Sequence, residues 1–224
     1  MTALDFSGTF ARWPDLAWGA ATTLILAAAS MLGGLVLGGA GAAASLSRHR
    51  AARAVAFIYV EAIRNTPFLV QAYVIYFGLP AIGLRLTAYP AALLSLSIYA
   101  GAYATEILRA GIEGVPGGQR EAARSLGLSR AAAFRHIVLP QALVAVYPAL
   151  SSQFVLVMLA SSLVSAIAVP ELTAAANDIQ GQTFRSFEAF LAVAAIYLLL
   201  TALLRTGLAG VERRISGFRL AGAR

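Results

Sequence analysis

Long apolar runs separated by short polar segments are the dominant pattern of this 224-residue chain. A helix needs about 20 mostly apolar residues to cross the hydrocarbon core of a bilayer, and five runs reach about that length. The pattern therefore predicts an all-α membrane protein with one domain over residues 1–224 and five transmembrane helices. The predicted spans cover residues 18–46, 54–79, 88–112, 137–159 and 190–208.

The arginines predict the orientation of these helices. Thirteen of the 17 lie in three polar segments, at residues 48–53, at residues 109–135 and from residue 205 to Arg224. Because cytoplasmic loops carry the excess of positive charge, these three segments should face the cytoplasm. The N-terminus would then lie outside and the C-terminus inside. The segment from Glu171 to Glu188 is net acidic and should lie at the outer face.

Composition excludes several classes of function. Of all residues 59% are hydrophobic and 12% are charged, against about 25% charged in soluble domains. The chain has no lysine, which the phosphate-binding loop of an ordinary ATPase requires, and no cysteine for a disulfide or a thiolate metal cluster. The net charge of +7 is spread along short loops, which argues against nucleic-acid binding. We expect no catalytic residue and no metal site on this chain.

Polar residues interrupt the second predicted span near the middle of the membrane. A charge there costs about 2.5 to 3.5 kcal/mol, so Glu61 and Arg64, three positions apart, should partly neutralise each other. Pro67 removes the hydrogen bond to the carbonyl of Ile63 and should kink the helix. A broken polar helix at this depth is tolerated where it lines a cavity or is buried in protein.

Smaller patterns predict how the other spans pack. Gly34 and Gly38, one helical turn apart in the first span, predict a close approach of two helix backbones. Glu106 and Arg109, at the inner end of the third span, should form an ion pair. Residues 160–170 are apolar but too short and broken for a span, so they should pack against the bundle from the outer side.

A polar loop at residues 113–136 separates the third and fourth spans. Glu121 to Leu126 should form a short helix that stops at Gly127, and Ser129 should cap the helix that follows. The loop would therefore present a small separate helix at the cytoplasmic face.

Three stretches of the chain resemble known permeases. Glu121-Ala122-Ala123, then Gly127, Ile137 and Leu139-Pro140 at their spacing, resemble the EAA loop of bacterial ABC-importer permeases. The second span, from Arg64-Asn-Thr-Pro67 to Gln71, and the later stretch Leu163 to Leu172 are similar to the polar amino-acid uptake permeases. The chain departs from them at Asn65, where relatives usually have Gly, and at Leu159-Ala160, where many have a polar pair.

The resemblance implies the type I ABC-importer permease fold in the bacterial inner membrane and a division of labour. A second permease subunit, identical or related, completes the pathway, a dimer of ATP-binding subunits docks beneath, and an extracytoplasmic binding protein delivers an amino acid. ATP and Mg²⁺ would bind the ATPase, so this chain itself needs no cofactor. The coupling residues would be Glu121, Ala122, Ala123, Leu126 and Gly127, with the two alanines allowing close approach to the ATPase.

Arg64 is the leading substrate-binding candidate, because a guanidinium can bind a carboxylate through two parallel hydrogen bonds. Arg64 could equally be a structural partner of Glu61. The further candidates are Glu61, Thr66, Gln153, Ser161 and Ser162. Two alternatives stay open: a secondary transporter or channel that uses Glu61 and Arg64 as an ion relay, and an importer of another small solute such as an opine or organosulfur compound.

Overall fold

The computed structural model describes residues 4–221, with side chains as far as Arg214, so Arg224 lies outside the described residues. The described part of the chain is helical and contains no β-strand. Its helices are α1 (Ser7–Ala11), α2 (Trp13–Ser45), α3 (Arg50–Arg64), α4 (Phe68–Ile82), α5 (Ala88–Glu113), α6 (Gly117–Ser125), α7 (Arg130–Ile167), α8 (Leu172–Thr183) and α9 (Ser186–Ala221).

Four of these helices are long and apolar enough to cross a membrane, namely α2, α5, α7 and α9. Each is longer than the span predicted for it, and α2 ends at Ser45, one residue before the predicted end. Helix α7 runs without a break from the polar loop, through a π-helical turn at Phe134–Val138, to a 3₁₀ turn at Ser161–Ile167.

The predicted break at Pro67 is present, and it is complete, since residues 54–79 form two helices rather than one kinked helix. Helix α3 ends at Arg64, and α4 begins at Phe68 after an extended Pro67 with φ −63° and ψ 135°. The proline has no N–H for the helical ladder, and its ring disfavours helical geometry at the residue before it. The break therefore divides the second predicted span into two short helices.

Glycines bring α2 and α5 into backbone contact. A Cβ added at Gly34 would lie 2.5 Å from the Cβ of Ala100, and one at Gly38 would lie 2.5 Å from the Cβ of Ala104. Only a residue without a side chain fits at these two positions. The predicted glycine packing face is confirmed, and its partner is the third span.

Two apolar clusters fill the bundle. One joins α2, α4, α5 and α7 around Phe68, Leu96 and Val157. The other joins α2, α7, α8 and α9 around Leu16 and Leu172. Helix α7 contributes to both clusters, so it links the glycine-packed pair α2 and α5 to the C-terminal helices.

The segment after residue 160 forms ordered structure between the spans. The 3₁₀ turn ends at Ala168, whose φ is +63°, and α8 then packs between α2 and α9. Glu171 caps α8 and is completely buried, although the sequence placed it among the outer acidic residues. Its carboxylate accepts hydrogen bonds from the backbone N–H groups of Thr173 and Ala174, at 2.9 and 2.8 Å, and from the Tyr197 hydroxyl at 2.8 Å.

Candidate functional site

The side chain of one glutamine bridges the break between α3 and α4 by hydrogen bonds. Gln71 Nε2 lies 2.7 Å from the carbonyl oxygen of Ile63, 3.0 Å from that of Thr66 and 2.9 Å from the Thr66 hydroxyl. Because Pro67 removes the donor that would normally serve Ile63, the glutamine amide takes its place. The Thr66 hydroxyl also donates to Ala62 O at 2.8 Å. Thr66, a substrate candidate from the sequence, is therefore part of this break.

Arg64, the last residue of α3, is directed at α5. Its guanidinium carbon lies 5.4 Å from the ring centroid of Tyr103, and its Nη1 is 3.8 Å from Glu106 Oε2. The predicted pairing with Glu61 is wrong, since the Glu61 carboxylate accepts a hydrogen bond from Asn65 Nδ2 at 2.8 Å instead. Helix α3 ends at Arg64, so Asn65 in the following turn can bind the Glu61 carboxylate. Arg64 then contacts α5 instead of Glu61.

A row of alternating charges continues from Arg64 along α5. Arg109 binds Glu106 through two hydrogen bonds, Nε to Oε1 at 3.0 Å and Nη2 to Oε2 at 2.9 Å. It also donates to Glu113 Oε2 at 2.7 Å. The predicted Glu106–Arg109 ion pair is confirmed, and the structure adds Arg64 at one end and Glu113 at the other.

A cavity of about 570 Å³ lies between α5 and α7. Arg64 and Glu106 are its charged lining residues, and Gln141 adds an amide. The rest of its wall is small or apolar, and it reaches Gly114–Pro116, where α5 gives way to the polar loop. The cavity therefore connects one arginine and one glutamate with the end of the bundle that carries the loop.

The other substrate candidates lie away from this cavity or beside it. Glu61 lines a smaller neighbouring cavity of about 360 Å³ that also includes Glu106 and Arg109. The hydroxyls of Ser161 and Ser162 donate to the carbonyls of Met158 and Leu159, at 2.6 and 2.7 Å, within their own turn. The two serines are therefore occupied by local hydrogen bonds.

Gln153 is the remaining candidate. It is only 4% exposed, and its amide nitrogen has no hydrogen-bond partner among the described residues. On α7 it lies four residues beyond Ala149, which lines the 570 Å³ cavity, and residues four apart share a helix face. Gln153 thus lies on the cavity-lining face of α7, one turn beyond the cavity.

The sequence reasoning missed Glu106 and Gln71 as site residues. The sequence did contain an indication for Glu106, because it lies three residues after Tyr103 and therefore on the same face of α5. Gln71 was visible as a polar residue four positions after Pro67. Neither signal identifies a partner by itself, because the pairing of Arg64 with Glu106 joins residues 42 positions apart in the chain.

The polar loop carries the predicted short helix, although α6 begins at Gly117 rather than at Glu121. Gly127 has a φ of +74°, which favours glycine, and the Ser129 hydroxyl accepts from the N–H of Ala132 at 3.2 Å, so the predicted stop and cap are confirmed. Ala123 is completely buried in its own chain. The Ala123 side chain therefore packs against its own chain, whereas Leu126 is 78% exposed.

Comparison with known proteins supports one family. A family model described as binding-protein-dependent transport system inner membrane component matches residues 34–217. The chain is 38% identical over 193 residues to the probable glutamine ABC transporter permease protein GlnM of Bacillus subtilis, covering 86% of this chain and 89% of that protein. It is 37% identical over 213 residues to the glutamine transport system permease protein GlnP of Escherichia coli, covering 94% and 97%.

A solved structure agrees with these relatives. A chain from the crystal structure of an amino acid ABC transporter with histidines superimposes with a TM-score of 0.89 at 38% identity. The match covers 95% of this chain and 100% of that one. The two chains therefore share one helical fold over nearly the full length of this chain.

Proposed function

The chain belongs to the family of binding-protein-dependent transport system inner membrane components, and from this membership we propose that it is the permease subunit of an ATP-driven amino-acid importer. Members of this family are transport components of the inner membrane rather than enzymes, and they work with an ATPase and a binding protein. The two glutamine permeases and the amino acid transporter among its relatives support an amino acid as the substrate.

The observation that carries the substrate proposal is the pair Arg64 and Glu106 at one cavity. An α-amino acid presents one carboxylate and one ammonium group. Arg64 can bind the first, and Glu106, whose two oxygens also bind Arg109, can accept from the second through its remaining lone pairs. The Arg64 guanidinium donates no hydrogen bond among the described residues, and the side chain is 40% exposed. Its donors are therefore available to a carboxylate, while the aromatic face of Tyr103 positions the guanidinium.

The rest of the assembly follows from the same proposal. A second permease subunit, either a copy or a related chain, completes the pathway, and a dimer of ATP-binding subunits binds ATP and Mg²⁺. The loop with α6 faces the cytoplasm and couples the permease to that dimer. Glu121 and Ala122 are exposed on α6, and the apolar Leu126 side chain is exposed at the end of this helix. These exposed residues form the proposed contact, and Gly127 supplies the turn beside it.

The test is transport by the complete complex in proteoliposomes with enclosed ATP. Arg64→Ala should weaken the apparent affinity for the amino acid by about 10- to 100-fold, as expected for loss of a charge-assisted hydrogen-bonded pair. Arg85→Ala, in the turn between α4 and α5, removes the same charge elsewhere and should leave transport unchanged. Co-purification of the ATPase with each variant reports whether the complex has assembled.

Two outcomes would reject the proposal. Unchanged transport by the assembled Arg64→Ala complex would leave Arg64 without a role in binding. Uptake by this chain alone under an ion gradient, without an ATPase, would make it a secondary transporter.

A further inference from the structure

A second cavity, of about 430 Å³, lies between the polar loop and the adjoining ends of α2, α5 and α7. Three arginines line it, Arg120 and Arg124 from α6 and Arg130 from the start of α7. It is separate from the cavity at Arg64, with which it shares no lining residue. The proposed transport function does not use it.

The positive charge of this cavity is largely unneutralised. Arg120 donates to the backbone oxygen of Ile112 at 2.6 Å, and its Nε is buried without a partner among the described residues. Arg124 and Arg130 form no ion pair or side-chain hydrogen bond within the described part of the chain. The one carboxylate in the lining, Glu113, already binds Arg109 at 2.7 Å.

Apolar side chains form the other half of the cavity. Leu46 comes from the end of α2, and Phe134 and Val138 come from the π-helical turn of α7. Val138 is buried, whereas Leu46 and Phe134 are partly exposed. A small hydrated anion gains nothing from such a wall, but a ligand with a phosphate at one end and a hydrocarbon chain at the other would contact both halves.

We propose that this cavity binds an anionic phospholipid, with its phosphate among Arg120, Arg124 and Arg130 and an acyl chain along Leu46 and Phe134. The position supports a lipid, because the cavity lies where three apolar helices end and headgroups would meet the protein. Basic pockets between helices at the cytoplasmic side are suited to anionic headgroups. A zwitterionic lipid would add a cation next to three arginines and should bind more weakly.

The test measures lipid binding to the purified complete complex by native mass spectrometry, with phosphatidylglycerol compared with phosphatidylcholine. The double variant Arg124→Gln, Arg130→Gln should bind phosphatidylglycerol about tenfold more weakly or worse, since two charge-assisted contacts are lost. Arg48→Gln, Arg50→Gln is the matched control, because it removes two charges from the neighbouring inner loop outside the cavity. It should change binding less than about twofold, since the phosphate contacts stay in place.

Further arms keep the proposal falsifiable. Arg124→Lys, Arg130→Lys keeps the charge and should restore most of the binding, even if the glutamine variant assembles poorly. Competition by inorganic phosphate alone would mean a simple anion site. Lipid binding to the isolated chain but not to the complex would mean that the ATPase occupies the cavity. Equal loss in both glutamine variants would mean unspecific attraction, and any of these three results would overturn the proposal.

Discussion

Glu171 shows most directly how a single residue stabilises this protein. Its carboxylate has no exposed surface, accepts two hydrogen bonds from the first turn of α8 and accepts a third from Tyr197 on α9, so it links the two helices. Burial raises the pKa of the Glu171 carboxyl, and the hydrogen bonds from Thr173, Tyr197 and Ala174 act in the opposite direction. Desolvation is the larger effect, so the folded protein holds this proton more tightly than the unfolded chain does.

This raised pKa predicts a pH dependence of stability. The contribution of Glu171 is fully present below about pH 4.5, its ordinary pKa, and is lost as the pH rises through the higher pKa of the folded state. Glu171→Gln cannot lose a proton, so its melting temperature should fall less with rising pH than that of the unmodified protein. Asp178→Asn, on the exposed face of the same helix, is the control and should follow the unmodified protein. Parallel curves for all three proteins would contradict the assignment.

At the scale of helices, the close contact between α2 and α5 depends on the absence of a side chain at Gly38. Gly38→Ala would place a methyl group 2.5 Å from the Cβ of Ala104, and such overpacking costs about 1 to 3 kcal/mol. Gly39→Ala is the matched control, because a methyl group there meets nothing within 4 Å. We expect a lower melting temperature for the complex with Gly38→Ala and an equal or slightly higher one with Gly39→Ala. Equal effects would mean that the two helices are free to separate.

The exposed end of α6 gives a second prediction at this scale. Leu126→Gln should reduce co-purification of the ATPase severalfold, because a side chain that is 78% exposed gains most from burial in a partner. Ile82→Gln, at a similarly exposed apolar position beyond the other end of the bundle, should leave co-purification unchanged. Full retention of the ATPase by both variants would exclude Leu126 from the proposed contact.

The sequence predicts those elements that depend on local or periodic patterns. The spans, the stop at Gly127, the cap at Ser129 and the Gly34–Gly38 face are of this kind. It did not predict the partner of Arg64, because Glu61 was the nearest acid along the chain and Glu106 is near only after α3 and α5 pack. The burial of Glu171 was missed for a similar reason, since a glutamate after a proline is typical of an exposed helix start.

For the whole molecule, the orientation in the membrane is a prediction from the arginines, and the chain suits a direct measurement. It contains no cysteine, so any thiol labelling comes from the single cysteine that is introduced. Arg85→Cys, in the turn between α4 and α5, should react with a membrane-impermeant maleimide in intact cells. Gln119→Cys, exposed on α6, should react only after the membrane is permeabilised. The reverse pattern would place the loop outside and remove the ATPase from it.

The close packing of Gly34 and Gly38 also constrains how the chain is made. The first span leaves the ribosome well before the third, so its glycine groove has no protein partner until Ala100 and Ala104 have been synthesised. A nascent chain that ends before α5 would therefore leave Gly34 and Gly38 without their protein partner. The contact between α2 and α5 can therefore form only after the chain has been synthesised as far as Ala104.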